Sequence, residues 1–250
     1  MGYVIAMAGK GGTGKTTVAA LIVRVLKDKK LGSVLAIDAD PNSNLAEALG
    51  VKVKASIGEI LDEISAHPDK VPAGMSKDRF IEYEVQTAVS EGDGFDCLTM
   101  GRPEGPGCYC YVNNVLRNVM SKLIKDYDFV IIDNEAGLEH LSRRTTRSAD
   151  ALVVVSDSSK VGRKAAQRII ELTKELKIQT KKNLLVINRT DKVLDNSDLK
   201  DIRAEYLGNL PLDSAIEVLS FDGGSLMSLP DDAVSFRALK KLGEKIWQRN

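Results

Sequence analysis

Nine residues near the N-terminus, Gly9-Lys10-Gly11-Gly12-Thr13-Gly14-Lys15-Thr16-Thr17, constrain this chain more than any other segment. They carry the pattern Gly-x4-Gly-Lys-Thr between a short apolar run, Tyr3 to Ala8, and a helical stretch from about Lys15 to Lys29. Glycines at that spacing let backbone N–H groups turn inward around phosphate oxygens, and the helix start adds its dipole. In such a loop Lys15 reaches the β- and γ-phosphates and the Thr16 hydroxyl sits on Mg²⁺. A glycine-rich turn without a ligand is the bland alternative. Spacing, lysine, threonine and strand–helix context together speak against it.

The rest of the chain repeats that alternation. Buried-type strands are expected at Val34–Ile37, Phe95–Met100, Phe129–Asp133, Leu152–Val155 and Leu184–Ile187. Helices are expected near Ile57–Ile64, Arg79–Val89, Tyr111–Lys125, Gly162–Lys177 and Ser235–Trp247, with the stretch from Val51 to Gly94 the hardest to read. Strands alternating with helices require crossover connections. The expected class is therefore α/β, a mostly parallel twisted sheet with helices on both faces. No linker, repeat or low-complexity tract interrupts it, so residues 1–250 are read as a single domain.

Composition narrows the partners. Lys plus Arg (35) equals Asp plus Glu (35), so overall charge does not point to nucleic acid or an anionic membrane. No apolar run approaches the roughly 20 residues of a membrane helix. Met1 to Ala8 has no charged leader, and Ala6 stands where a myristoylation signal needs Ser or Thr. A cytoplasmic protein is expected, without nucleic-acid binding or stable membrane association.

Three acids complete the nucleotide reading. Asp133 closes the apolar run Phe129-Val130-Ile131-Ile132-Asp133, the Walker B arrangement for Mg²⁺. In Asp38-Ala39-Asp40-Pro41, Asp38 ends a strand and supports either Mg²⁺ or the loop, while both acids have a second reading as caps for a helix over Asn44–Leu49. With Lys10, the loop resembles the deviant Walker A of the MinD/ParA/nitrogenase-iron-protein class, a group of P-loop NTPases. That resemblance implies a homodimer in which Lys10 reaches the partner's nucleotide; its alternative is a solvated lysine. It further implies that Asp40 orients the attacking water, that Gly137 belongs to switch II, that Asn188 and Arg189 recognise the base, and that Pro211 and Asp213 lie on the adenine side. Catalytic roles accordingly fall to Lys10, Lys15 and Asp40. The sequence Asp133-Asn134-Glu135-Ala136-Gly137 departs from the usual Asp-x-Pro-x-Gly of MinD relatives.

The remaining signal is Cys108-Tyr109-Cys110. Two thiolates offer half of a four-ligand soft-metal site, and a homodimer placing both pairs on its twofold axis supplies the rest. Buried structural cysteines and a reactive redox pair are the alternatives; Cys97, inside an apolar strand, is read as core. The deviant loop, Gly107-Cys-Tyr-Cys-Tyr111 and the run from Asp133 to Thr145 together resemble the CooC-type accessory ATPases, over roughly Met1 to Asn188. That resemblance implies ATP and Mg²⁺ as cofactors, Ni²⁺ (or Zn²⁺) at Cys108 and Cys110, and a client nickel enzyme, carbon monoxide dehydrogenase or acetyl-CoA synthase. Glu139-His140 is either a transient metal relay or a satisfied surface pair. The rivals are a MinD/ParA-like positioning ATPase on membrane or DNA and an iron–sulfur carrier. The first would use the face Leu239, Leu242 and Ile246, flanked by Lys240, Lys241, Lys245 and Arg249; the plainer reading is that this helix packs on the domain.

Overall fold

Apolar runs too short to be helices become strands covered on both sides. A computed structural model describes residues 2–40, 43–101, 110–135, 148–192 and 194–248, and among them eight strands form one sheet. These are β1 (Tyr3–Gly9), β2 (Val34–Ala39), β3 (Ser90–Glu91), β4 (Asp96–Thr99), β5 (Phe129–Asn134), β6 (Ser148–Ser156), β7 (Gln179–Asn188) and β8 (Glu205–Leu210). Their order is β3-β4-β2-β5-β1-β6-β7-β8, and every neighbouring pair is parallel except β3 with β4. All residues of β1, β2 and β5 are buried, as a central parallel strand requires.

Helices cover both faces. Val4, Ala6, Leu35, Ile37, Val130 and Ile132 point to a core shared with α3 (Ile57–Ala66), α4 (Lys77–Ala88), α5 (Cys110–Leu123) and α6 (Lys160–Glu175). Tyr3, Ile5, Met7, Ala36 and Ile131 point the other way, onto α1 (Lys15–Asp28), α2 (Asn44–Leu49) and α9 (Val234–Trp247). Between them α7 (Asn196–Leu199) and α8 (Ser214–Phe221) lie in the last third. The α/β class and mostly parallel sheet expected from the sequence are those of the structure.

The segment that resisted reading resolves locally. Ser56 and Glu59 form a reciprocal capping box at the start of α3, and the Ser76 hydroxyl caps α4. Two strands, β3 and β8, and two helices, the four-residue α7 and α8, were not expected. β3 has only two residues, β8 carries Gly208 and buries just Leu207 and Leu210, and α8 has no buried residue, so none shows an apolar period. The closing helix takes the packing reading: Leu239 and Ile246 are fully buried, and the Tyr3 hydroxyl donates to the Ile246 carbonyl at 2.7 Å. No helix among the described residues is long and apolar enough to cross a membrane.

Arg24 ties α1 to the chain before α9. Its guanidinium donates to the carbonyls of Leu226 and Leu229, pairs with Asp231 at 2.8 Å and lies 4.1 Å from the Phe236 ring centroid.

Candidate nucleotide site

The parallel topology brings the carboxyl ends of β1, β2 and β5 side by side, the place where open α/β sheets bind ligands. After β1 the chain turns through Gly9–Gly14 into α1. The Lys10 carbonyl accepts from the Thr13 N–H at 3.3 Å and the Thr13 hydroxyl at 2.8 Å, closing the turn. Gly14 caps α1 with φ 87, no side chain makes a cap hydrogen bond at the helix start, and its first turn holds no acid. An anion therefore meets open N–H groups there. Lys15 is buried with its ammonium 3.5 Å from the Lys10 carbonyl, whereas the Lys10 side chain is exposed. Thr16 and Thr17 are half-buried on the cleft wall.

Asp38 and Asp133 are register partners on β2 and β5, both essentially buried. Their surroundings differ. The Asp38 carboxylate accepts from the backbone N–H groups of Leu45 (2.8 Å), Ala46 (3.3 Å) and Asp40 (3.2 Å). It thus caps α2 from the neighbouring strand, where Ser43 at the helix start makes no side-chain cap. These hydrogen bonds are contacts of the kind its loop and cap readings describe. Burial pushes its pKa up to about 6 against those hydrogen bonds.

Neither carboxylate oxygen of Asp133 has a hydrogen-bond partner, and with Asn134 Oδ1 these are the buried side-chain polar atoms left unsatisfied among the described residues. Burial raises its pKa to about 7; the nearby Thr16 hydroxyl opposes the shift without reaching hydrogen-bond geometry, and Asp38 reinforces it. A buried carboxylate with no donor needs a proton or a cation. Asp133 and Thr16 are thus a pair that fits a divalent ion, and Mg²⁺ takes oxygen ligands of this kind.

The cleft beside this loop measures about 1130 Å³. Asp40, Asn44, Glu47 and Glu135 line it near the acids; Asn188, Arg189, Pro211, Asp213, Ile216 and Phe221 line its far end. Asn188 is not free to approach a base with its whole amide: Nδ2 donates to the Thr13 carbonyl at 2.9 Å and Oδ1 accepts from the Arg189 N–H at 3.0 Å. Asp213 is also engaged. It caps α8 through the Ala215 N–H and accepts from the Ser235 N–H and hydroxyl at 2.9 and 2.6 Å. Burial would raise its pKa, but these donors outweigh it and hold the carboxyl below its usual range.

A family profile described as an AAA domain matches residues 2–186. The chain belongs to that family. Its fold is the P-loop NTPase fold of the MinD structures, and that fold implies a nucleotide and Mg²⁺. It is 41% identical to an uncharacterised ATP-binding protein of Methanocaldococcus jannaschii, MJ0685, covering 97% of this chain and 98% of that one. It is 31% identical to the carbon monoxide dehydrogenase accessory protein CooC of Rhodospirillum rubrum, covering 90% and 89%. The septum site-determining protein MinD of Pyrococcus horikoshii, solved with Mg-ADP, superposes with a TM-score of 0.72 at 20% identity over 99% of this chain and 97% of that one.

The second sequence signal lies apart from the described geometry. Cys108, Gly137, Glu139 and His140 fall outside the described residues; Cys110 opens α5, with its side chain outside them. Among the described residues no group of three or more His, Cys, Asp or Glu gathers as a metal site. Cys97 is core in β4, its thiol pushed up to about 12 by burial and by the charges of Asp38 and Asp96. Sequence reading gave no role to Asn134, Asn44, Glu47 or Glu135. Asn134 follows the closing acid of β5 and donates to the Met7 carbonyl at 2.8 Å, a contact no spacing announces.

Proposed function

We propose that this chain is a Mg²⁺-dependent ATPase that works as an ATP-gated homodimer and assists nickel insertion into a carbon monoxide dehydrogenase or acetyl-CoA synthase. The observation that carries the ATPase part is the unpartnered, buried Asp133 carboxylate beside Thr16 and the open helix start of the Gly9–Thr17 loop. In this reading Gly9, Gly11, Gly12, Thr13, Gly14 and Thr17 cradle the phosphates, and Lys15 swings from the Lys10 carbonyl to the β/γ-oxygens. Mg²⁺ at Thr16 and Asp133, when bound, neutralises charge on the phosphates. Asp40, held at the cleft through its N–H on Asp38, orients the attacking water. The exposed Lys10 reaches the partner's γ-phosphate and stabilises the charge of the transferring group. Asn188, Arg189, Pro211 and Asp213 border the end of the cleft where the base lies.

The nickel part rests on Cys108 and Cys110 and on the similarity to CooC across most of both chains. Two thiolates from each protomer make a four-ligand site on the dimer axis, with the metal ion as cargo. ATP binding closes the dimer, hydrolysis opens it, and the metal passes to the client. A phosphate-release assay on Lys10→Ala tests the dimer mechanism. ATP affinity should stay near wild type while turnover falls by about a hundredfold, the scale of losing one charge-stabilising group. Wild-type turnover in that variant contradicts the reading.

A further inference from the structure

The P-loop is held from behind by the end of β7. Asn188 Nδ2 donates to the Thr13 carbonyl at 2.9 Å in a buried contact, and Arg189 Nη1 donates to the Gly12 carbonyl at 3.3 Å. The amide of Asn188 is fixed at both ends, since its Oδ1 accepts from the Arg189 N–H. Arg189 adopts φ 59, so the chain turns sharply as it leaves the strand, and the Thr190 N–H donates to the Leu210 carbonyl of β8. The approach is close: a Cβ on Gly14 would sit 2.3 Å from Asn188 Nδ2.

From this geometry we infer that Asn188 and Arg189 are positioning residues for the phosphate loop. A trans peptide points its C=O and N–H in opposite directions, and the described chain has no cis bond. Pinning the Thr13 carbonyl toward Asn188 turns the Gly14 N–H to the other side, at the start of α1. Pinning the Gly12 carbonyl turns the Thr13 N–H onto Lys10, which closes the loop. The two side chains thereby set the direction of loop N–H groups before any phosphate arrives, which removes an ordering cost from binding. A buried carbonyl such as that of Thr13 also needs a donor, and Asn188 provides it.

This inference rests on the nucleotide reading of the cleft, and the test separates the two. Mg-ATP and Mg-tripolyphosphate, which has no base, are titrated calorimetrically into full-length wild type, Asn188→Ala and Arg189→Ala. Both variants should lose affinity for the two ligands by the same factor, about tenfold for Asn188→Ala, the scale of one buried hydrogen bond. The Gly14 amide resonance should move in Asn188→Ala while those of the distant strand β4 stay in place, which a general loss of structure would not produce. Should Asn188→Ala fail to fold, Arg189→Ala, altered at an exposed side chain, carries the same comparison. Unchanged tripolyphosphate affinity with weakened ATP would overturn the inference in favour of base reading. Wild type that binds neither ligand overturns the nucleotide site and the inference together.

Discussion

At the scale of single residues, two neighbouring aspartates have opposite accounts. Asp38 has three backbone donors and Asp133 has none, yet burial raises both, to about 6 and about 7. In the unfolded chain each titrates near 4. The folded state therefore holds more protons between roughly pH 4 and pH 7, and their contribution to stability falls as pH rises through that window. A cation at Asp133 replaces the missing proton. Thermal melts in chelator and in Mg²⁺, at pH 5 and pH 8, should show a larger Mg²⁺ increment at pH 8. An increment equal at both values, or larger at pH 5, would remove Asp133 from the metal site. The shape of the loop was legible, because fixed spacing sets the left-handed turn at Gly14 and the start of α1 at Lys15. The partners of Asn188 and Asp213 were not: their contacts to Thr13 and Ser235 join segments 175 and 22 residues apart.

At the scale of elements, strands buried on both faces announced themselves as apolar runs, and β1, β2, β5, β6 and β7 include the expected segments. β8 did not, because it buries only Leu207 and Leu210, three residues apart across a register shift, and so shows no alternation. The position of α1 against the chain before α9 was equally hidden, since it depends on one buried cation. Arg24→Ala leaves the carbonyls of Leu226 and Leu229 without their donor and uncovers the Phe236 ring. It should cost about 2–4 kcal/mol in urea unfolding, the range for breaking a buried charged network. Arg24→Lys should recover part of that loss, because one ammonium reaches fewer of the acceptors. A cost within about 0.5 kcal/mol, as at an ordinary surface site, would show that the strap is held by apolar packing alone.

At the scale of the whole molecule, the sheet order places the phosphate loop on the central strand β1, flanked by the acids of β2 and β5 on one side and the end of β7 on the other. An exposed Lys10, next in sequence to the cleft residue Gly11, suits action on a second copy of the chain, and the paired cysteines suit a site shared across the same axis. The central claim is that the two devices belong to one dimer that carries metal. Equilibrium dialysis with Ni²⁺ and Zn²⁺, on wild type and on the variant with Cys108→Ser and Cys110→Ser, tests it most directly. The account predicts one metal ion per dimer in wild type, weaker binding at acid pH because thiolates must be deprotonated, and no binding in the double variant, which still binds ATP. Undiminished metal binding in the double variant would contradict it.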